Sequence, residues 1–287
     1  MSKIKIGWIG LGNMGIPMSE QLIKAKYPLT VYNRNKEKES VLKNMGADTA
    51  ATPADLIEKT EVLIVMVSDD QAIKEIFSGR DGLFQSKASG KIIINMSTVS
   101  PDISKEMASI CKENGNHYLD APVSGSIKQA ETGQLVIMVG GDENIFQKVK
   151  PIFEQLGKLA MLVGNNGAGN NAKLAINSLL ALYTQGLAET ILFANQKGIN
   201  TEDLLTLINN SALGNIFTKI KGDAITQDSY KAAFALKHIV KDLRLAKEQG
   251  ISSPLAKTAY QTFQQAESAF GEEDLISVIK QIKKIGI

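Results

Sequence analysis

A single cysteine, Cys111, stands in 287 residues. With no second thiol there is no internal disulfide and no Cys-x-x-Cys motif, so a reducing compartment is expected. Cys111 falls in a helical pattern and reads as a packed small residue. The two histidines, His117 and His238, are far apart in sequence and give no ligand cluster, so no metal site is expected. Charge of one sign is not in excess: 32 Lys and Arg face 30 Asp and Glu, with no long basic run. That balance excludes a dedicated nucleic-acid binder. No apolar run approaches the ~20 residues of a membrane span, so no membrane partner is expected. Neither a signal-peptide pattern, a repeat nor a low-complexity segment is present, and a cytoplasmic location is expected. What remains is an ordinary globular composition, 44% hydrophobic and 22% charged, long enough for two domains.

The strongest positive signal lies at the start. Lys3 to Ile9 is apolar and β-rich, and runs into Gly10-Leu11-Gly12-Asn13-Met14-Gly15, which opens a helical segment. Strand, G-x-G-x-x-G and helix in this order predict a dinucleotide-binding turn. Gly10 allows the tight turn, Gly12 a close approach to pyrophosphate, and Gly15 close helix packing. The helix N-terminus offers N–H groups and a partial positive charge to the phosphates.

Short apolar runs and amphipathic helices then alternate as far as Val163, which predicts a largely parallel, doubly wound α/β sheet of Rossmann type. After Gly164 the strand signal stops. A long helical pattern runs from Ala168 to Lys197, and more helices follow: Thr201–Asn209, Leu236–Gln249, Pro254–Ala269 and Glu272–Lys284. The expected organisation is a nucleotide-binding domain over 1–164 and an all-α domain for substrate and oligomerisation over 165–287, joined by the long helix.

The second strand ends in Asn33-Arg34-Asn35, where NAD-binding folds carry an acid for the ribose 2′-hydroxyl. An arginine there can pair with a 2′-phosphate, and Lys36 and Lys38 add positive charge nearby. NADP(H) is therefore expected over NAD(H), which stays possible; the plain alternative is a solvated surface arginine. Met66-Val67-Ser68 and Asn95-Met96-Ser97-Thr98 close the next two strands and are expected at the cofactor, since ligands bind outside the carboxyl ends of such strands. Thr98 offers a hydroxyl near the nicotinamide half. Thr98 or Ser100 before Pro101 also suits a helix N-cap.

Four stretches together carry a family resemblance. They are Gly7 to Gly15, Asp120-Ala121-Pro122-Val123-Ser124-Gly125-Ser126, Gly167-Ala168-Gly169-Asn170-Asn171-Ala172-Lys173 onward to Asn177, and Lys241-Asp242-Leu243. In this order they resemble the β-hydroxyacid dehydrogenases over the whole chain. The resemblance implies Lys173 as the catalytic residue, with Ser124, Gly125, Ser126, Asn177, Phe234 and Asp242 at the substrate. It implies Lys241 at the nicotinamide side of the cofactor, and a site in the cleft between domains.

The chemistry fits that assignment. Hydride reduction of a carbonyl builds negative charge on oxygen, which an ammonium can stabilise and then protonate. A free lysine titrates at about 10.4 and is a ready acid at neutral pH. Lys173 and Asn177 share one helix face at i, i+4 spacing. The ordinary alternative is an exposed helix lysine. Ser124-Gly125-Ser126 offers hydroxyls and N–H groups as a carboxylate cradle, or is simply a turn; Lys241 and Asp242 are otherwise a solvated helix pair.

Within the family, Ser124 to Lys128 and Phe234 to His238 followed by Lys241 to Ala246 resemble the glyoxylate/succinic semialdehyde reductase branch, and Asn33-Arg34 suits NADPH where the 3-hydroxyisobutyrate branch typically uses NAD, though Gln129 stands where proline often follows Lys128. The expected activity is NADPH-dependent reduction of short aldehyde or keto acids such as glyoxylate and succinic semialdehyde. A 3-hydroxyisobutyrate or tartronate semialdehyde enzyme is the alternative on the same scaffold, and a non-catalytic dinucleotide-binding module the alternative of another class. The resemblance, together with the long apolar helix, implies a homodimer or homotetramer.

Overall fold

The computed structural model describes residues 3–286. Its first half alternates strands and helices: β1 (Ile6–Ile9), α1 (Gly15–Lys24), β2 (Leu29–Tyr32), α2 (Ser40–Asn44), β3 (Asp48–Thr49), α3 (Pro53–Lys59), β4 (Val62–Val65) and α4 (Asp70–Ser78). Then come β5 (Ile92–Asn95), α5 (Pro101–Glu113), β6 (His117–Asp120), β7 (Val123–Ser124), α6 (Ile127–Glu131), β8 (Leu135–Gly140), α7 (Glu143–Leu156) and β9 (Gly157–Gly164).

Side chains along a strand alternate between faces, and here both faces are buried. Trp8 of β1, Ile64 of β4 and Ile94 of β5 enter one apolar cluster with Met18 of α1 and Phe153 of α7. Ile9, Leu63, Val65 and Ile93 enter another, with Ile57 of α3, Phe77 of α4 and Met107 of α5. Cys111 is buried in this second cluster, where burial pushes its thiol up to about 12, as suits a packing residue.

The strand order is β3-β2-β1-β4-β5-β6-β8-β7, with β9 beside β8. Pairing is parallel from β3 to β6. β8 then pairs antiparallel with β6 and β7, and parallel with β9. The chain winds outward from β1 in one direction and from β4 in the other. The ends of β1 and β4 therefore form the topological switch point, where such sheets bind ligands. β3, β7 and α6 were not anticipated; each is too short to leave a periodic signature.

The chain divides into two compact units after Lys173. The sheet ends at Gly164, where a boundary was expected, but the first turn of α8 (Ala168–Gln196) still belongs with the sheet. The N–H groups of Gly167 and Asn170 donate to the carboxylate of Asp120 at the end of β6.

The second unit is helical: α9 (Thr201–Asn209), α10 (Ile216–Thr226), α11 (Leu236–Glu248), α12 (Pro254–Phe270) and α13 (Val278–Lys284) follow α8. Ile191, Leu205, Ile239, Phe263 and Ile279 share its core. α10 was not anticipated, because its β-branched residues and Gly222 are weak helix formers. Packing overrides propensity: a Cβ on Gly222 would stand 2.7 Å from Leu205, so the glycine lets α9 and α10 touch. No helix among the described residues is long and apolar enough to cross a membrane.

Lys221 and Asp274 form a buried ion pair at 2.7 Å. Asp274 also accepts the N–H groups of Ala233, Phe234 and Ile276, which pins the segment leading into α11. Lys221→Met removes the cation and strands the carboxylate. Urea unfolding is expected to give a loss of about 3 kcal/mol; a change below about 1 kcal/mol, as for a surface pair, would refute this role.

Candidate functional site

The three glycines of the first turn do different work. Gly10 has φ +97°, and a Cβ there would lie 2.0 Å from the Met66 carbonyl, so only glycine fits against the end of β4. Gly15 is equally constrained, 2.0 Å from the Gly10 carbonyl. That carbonyl accepts a hydrogen bond from the buried Trp8 indole at 3.0 Å. Gly12 differs: a Cβ there would meet nothing within 4 Å. It is exposed, as Asn13 is, while Met14 is half-buried and Leu11 buried. The N-terminus of α1 has no side-chain cap and no acidic residue in its first turn. An open glycine beside an uncapped helix N-terminus fits the pyrophosphate of a dinucleotide.

Asn33 ties this turn to the end of β2. Its Oδ1 accepts the Leu11 N–H at 2.9 Å, and its Nδ2 donates to the Asn35 carbonyl at 2.8 Å. Arg34 is exposed beside it, and Lys38 likewise. Lys36 does not add the free charge expected of it. Its Nζ lies 3.0 Å from Glu39 Oε1 and donates to the Ala50 carbonyl, above the ring of Tyr32. Glu39 is buried and also accepts the Asn33 N–H at 2.7 Å, so this local pair is neutral and Arg34 and Lys38 carry the positive charge.

Met66 and Val67, both half-buried, and the exposed Ser68 follow β4. The Val67 N–H donates to Ser97 Oγ at 2.8 Å, and the Ser97 N–H to Asn95 Oδ1 at 3.0 Å. Ser97 thus locks the ends of β4 and β5 together. Thr98, half-buried, follows it. Ser100 is the residue that caps α5, accepting the Ile103 N–H at 3.1 Å.

Lys173 is only 8% exposed, so the ordinary fate of a helix lysine does not apply. Asp120, which binds the start of the same helix, is fully buried; burial raises its carboxyl above its ordinary value, against the N–H bonds from Gly167 and Asn170 that lower it. In the turn after β7, Gly125 has φ +140°. The N–H and hydroxyl of Ser126 both donate to Gln129 Oε1, at 2.9 and 2.5 Å. Gln129 therefore closes the start of α6, and Ser126 is turned towards it.

The other expected site residues lie in the second unit. Asn177 Nδ2 donates to Asp242 Oδ2 at 2.5 Å. Lys241 Nζ lies 3.4 Å from Asp242 Oδ1, a buried atom that accepts no hydrogen bond among the described residues. Phe234 stacks on His238 with ring centroids 6.1 Å apart. Burial first, then Lys241 and Lys237, hold the His238 imidazole below its ordinary value. Asn177, Asp242 and Lys241 thus form one polar group. Two connections escaped the sequence reading: the bond from Ser97 to Val67, and the bonds of Asp120 and Asn170 at the start of α8. Both link segments distant in the chain, which local patterning does not register.

Comparison with known proteins agrees with this architecture. Residues 5–164 match the family described as the NAD binding domain of 6-phosphogluconate dehydrogenase. Residues 167–282 match that described as NAD-binding of NADP-dependent 3-hydroxyisobutyrate dehydrogenase. The chain is 34% identical to glyoxylate/succinic semialdehyde reductase 1 of Arabidopsis thaliana, over 98% of this chain and 99% of the relative. It is 35% identical to 2-hydroxy-3-oxopropionate reductase of Escherichia coli, over 85% of this chain and 83% of the relative. A solved 3-hydroxyisobutyrate dehydrogenase of Mycobacterium tuberculosis, with L-serine, superposes with a TM-score of 0.89 at 26% identity, covering 98% of this chain and 99% of that one. With a dinucleotide cradle at the switch point and whole-length likeness to these enzymes, the chain belongs to the β-hydroxyacid dehydrogenases, NAD(P)-dependent oxidoreductases acting on CH–OH groups.

Proposed function

We propose that this enzyme reduces short aldehyde or keto acids, glyoxylate and succinic semialdehyde among them, to hydroxy acids with NADPH, and that Lys173 donates the proton. One observation carries the reading: a lysine withdrawn to 8% exposure, on a helix whose first turn is bonded to the carboxyl end of β6. The glycine turn holds the pyrophosphate, with Gly10, Gly12, Gly15 and the backbone of Leu11, Asn13 and Met14. Arg34 takes the 2′-phosphate beside Asn33, and Met66, Val67, Ser68, Thr98 and Lys241 line the rest. The bound nicotinamide supplies the hydride to the carbonyl carbon. Lys173 Nζ stabilises the developing oxyanion, gives it a proton, and is reprotonated from water. Ser124, Gly125 and Ser126 form the turn that receives the substrate carboxylate. Asp242 holds Asn177, which orients the substrate oxygen, and Phe234 shields the site. A single buried thiol suits a cytoplasmic setting. The 34% identity to the Arabidopsis reductase supports these substrates, as do Ser126 and the Asn33-Arg34 pair.

Lys173→Ala is expected to lower kcat on glyoxylate or succinic semialdehyde about 10²–10⁴-fold, the usual worth of a general acid. NADPH consumption followed by absorbance checks this, and full turnover by the variant would end the assignment. Arg34→Ala is expected to raise KM for NADPH about tenfold while KM for NADH stays within about twofold. An unchanged preference for NADPH would show that the 2′-phosphate is read elsewhere.

The second unit exposes Leu179, Leu213, Ile216 and Ile220, with Leu213 and α10 gathered by the hydrogen bond of Tyr183 to the Leu213 carbonyl and its ring contact with Phe217. Such a patch supports a homodimer or homotetramer. Light scattering at micromolar concentration should return two or four chain masses; a monomer mass would refute it.

A further inference from the structure

We propose that Asn170, held in place by Asp120, is a positioning residue for Lys173, fixing the lysine's helix against the loop that carries Thr98. The inference rests on the assignment of Lys173 as proton donor. Asn170 is wholly buried, and each polar group of its side chain has a partner. Its Oδ1 accepts the N–H of Val99, the residue after Thr98, at 3.0 Å, and its Nδ2 donates to Ser104 Oγ at 3.1 Å. Its own N–H donates to Asp120 Oδ2 at 2.9 Å, while Gly167 donates to Oδ1 at 2.7 Å. A carboxylate 50 residues upstream of Asn170 thus does the work of an N-cap for α8, using both of its oxygens.

The joint has no slack. A Cβ on Gly169 would stand 2.4 Å from the Met138 carbonyl, and one on Gly140 2.6 Å from Asp120 Oδ1. Ser104 in turn bonds with the hydroxyl of Tyr118, which accepts from Asn95 Nδ2 at 3.0 Å. Asn95 Oδ1 takes the N–H of Ser97. One buried polar chain therefore runs from the ends of β4 and β5 to the first turn of α8, and Lys173 follows Asn170 by three residues on that helix. A matched buried network specifies geometry more sharply than apolar contact, because each misplacement strands a donor or acceptor. A displacement of about 1 Å at a reacting group costs on the order of 10²-fold in rate.

The test compares wild type, Asn170→Ala, Asp120→Asn and Lys173→Ala with NADPH and with NADPH deuterated at the transferred position, on glyoxylate or succinic semialdehyde. Asn170→Ala is expected to lower kcat about 10- to 100-fold, to leave the NADPH dissociation constant within about twofold, and to raise the deuterium isotope effect on kcat as the chemical step becomes limiting. Asp120→Asn keeps one acceptor and should move the same three quantities less far; it serves as the readout if Asn170→Ala does not fold. An unchanged kcat overturns the proposal. So does a kcat that falls only in proportion to the lost NADPH-binding fraction at a constant isotope effect, since that is a folding role alone. Full turnover by Lys173→Ala would instead remove the proton-donor assignment beneath it, a separate outcome.

Discussion

A carboxylate withdrawn from water must find donors or it will not stay charged, and at the end of β6 the backbone supplies them. Asp120 binds the start of α8 through both oxygens; a Cβ at Gly140 or Gly169 would leave no room for that approach, and Gly167 takes a positive φ of +91°. An unmatched buried charge costs several kcal/mol, so the arrangement tolerates little displacement. The parallel order of the sheet exists, in this sense, to deliver β6 to that position beside β5. The last strands and the start of the long helix are then built around it.

The same division of labour recurs along the functional edge of the sheet. Apolar strand interiors set layer spacing, and the residues that terminate the strands arrange the chemistry. Gly10 meets Met66 at the switch point, Asn33 takes the Leu11 N–H, and Ser97 takes that of Val67. Each of these contacts joins two loops that would otherwise move separately. Glu39 adds an electrostatic element. By pairing with Lys36 it leaves the end of β2 with fewer free cations than the sequence suggests, Arg34 and Lys38 being the exposed ones.

The glycine turn, the alternation of strands and helices and the all-helical second half were legible in the sequence, because each rests on a local rule: glycine spacing, short continuous apolar runs, and a period of three to four. The burial of Lys173 was not legible in the sequence pattern. Nothing in periodicity separates a buried lysine from a solvated one. Lys36 misled for a related reason, since a residue three positions on decides whether a cation is free, and a short 3-10 turn brings Glu39 to it. Gln129 was visible as a departure from the family pattern, but its bonds to Ser126 were not. The polar chain through Asn95, Tyr118, Ser104 and Asn170 joins residues up to 66 positions apart, beyond the reach of any local reading.

Burial of both faces of the central sheet has a kinetic consequence. In a one-sided sheet, a strand that slips by one residue exposes its apolar set and is rejected at once. Here Val62 to Val65 and Ile92 to Ile94 are apolar on both sides, so slipped pairings hide nearly as much surface as the correct one. Discrimination falls to shape and to strand ends: the smallness of Gly7 against Leu63, the bulk of Trp8, and the polar residues Asn95 and Asp120, which must arrive opposite one another. Parallel pairing of distant segments is slow to begin with. A chain whose register is proof-read largely at the strand termini should spend its folding time there, with the polar residues Asn95 and Asp120 serving as the lock that ends the search.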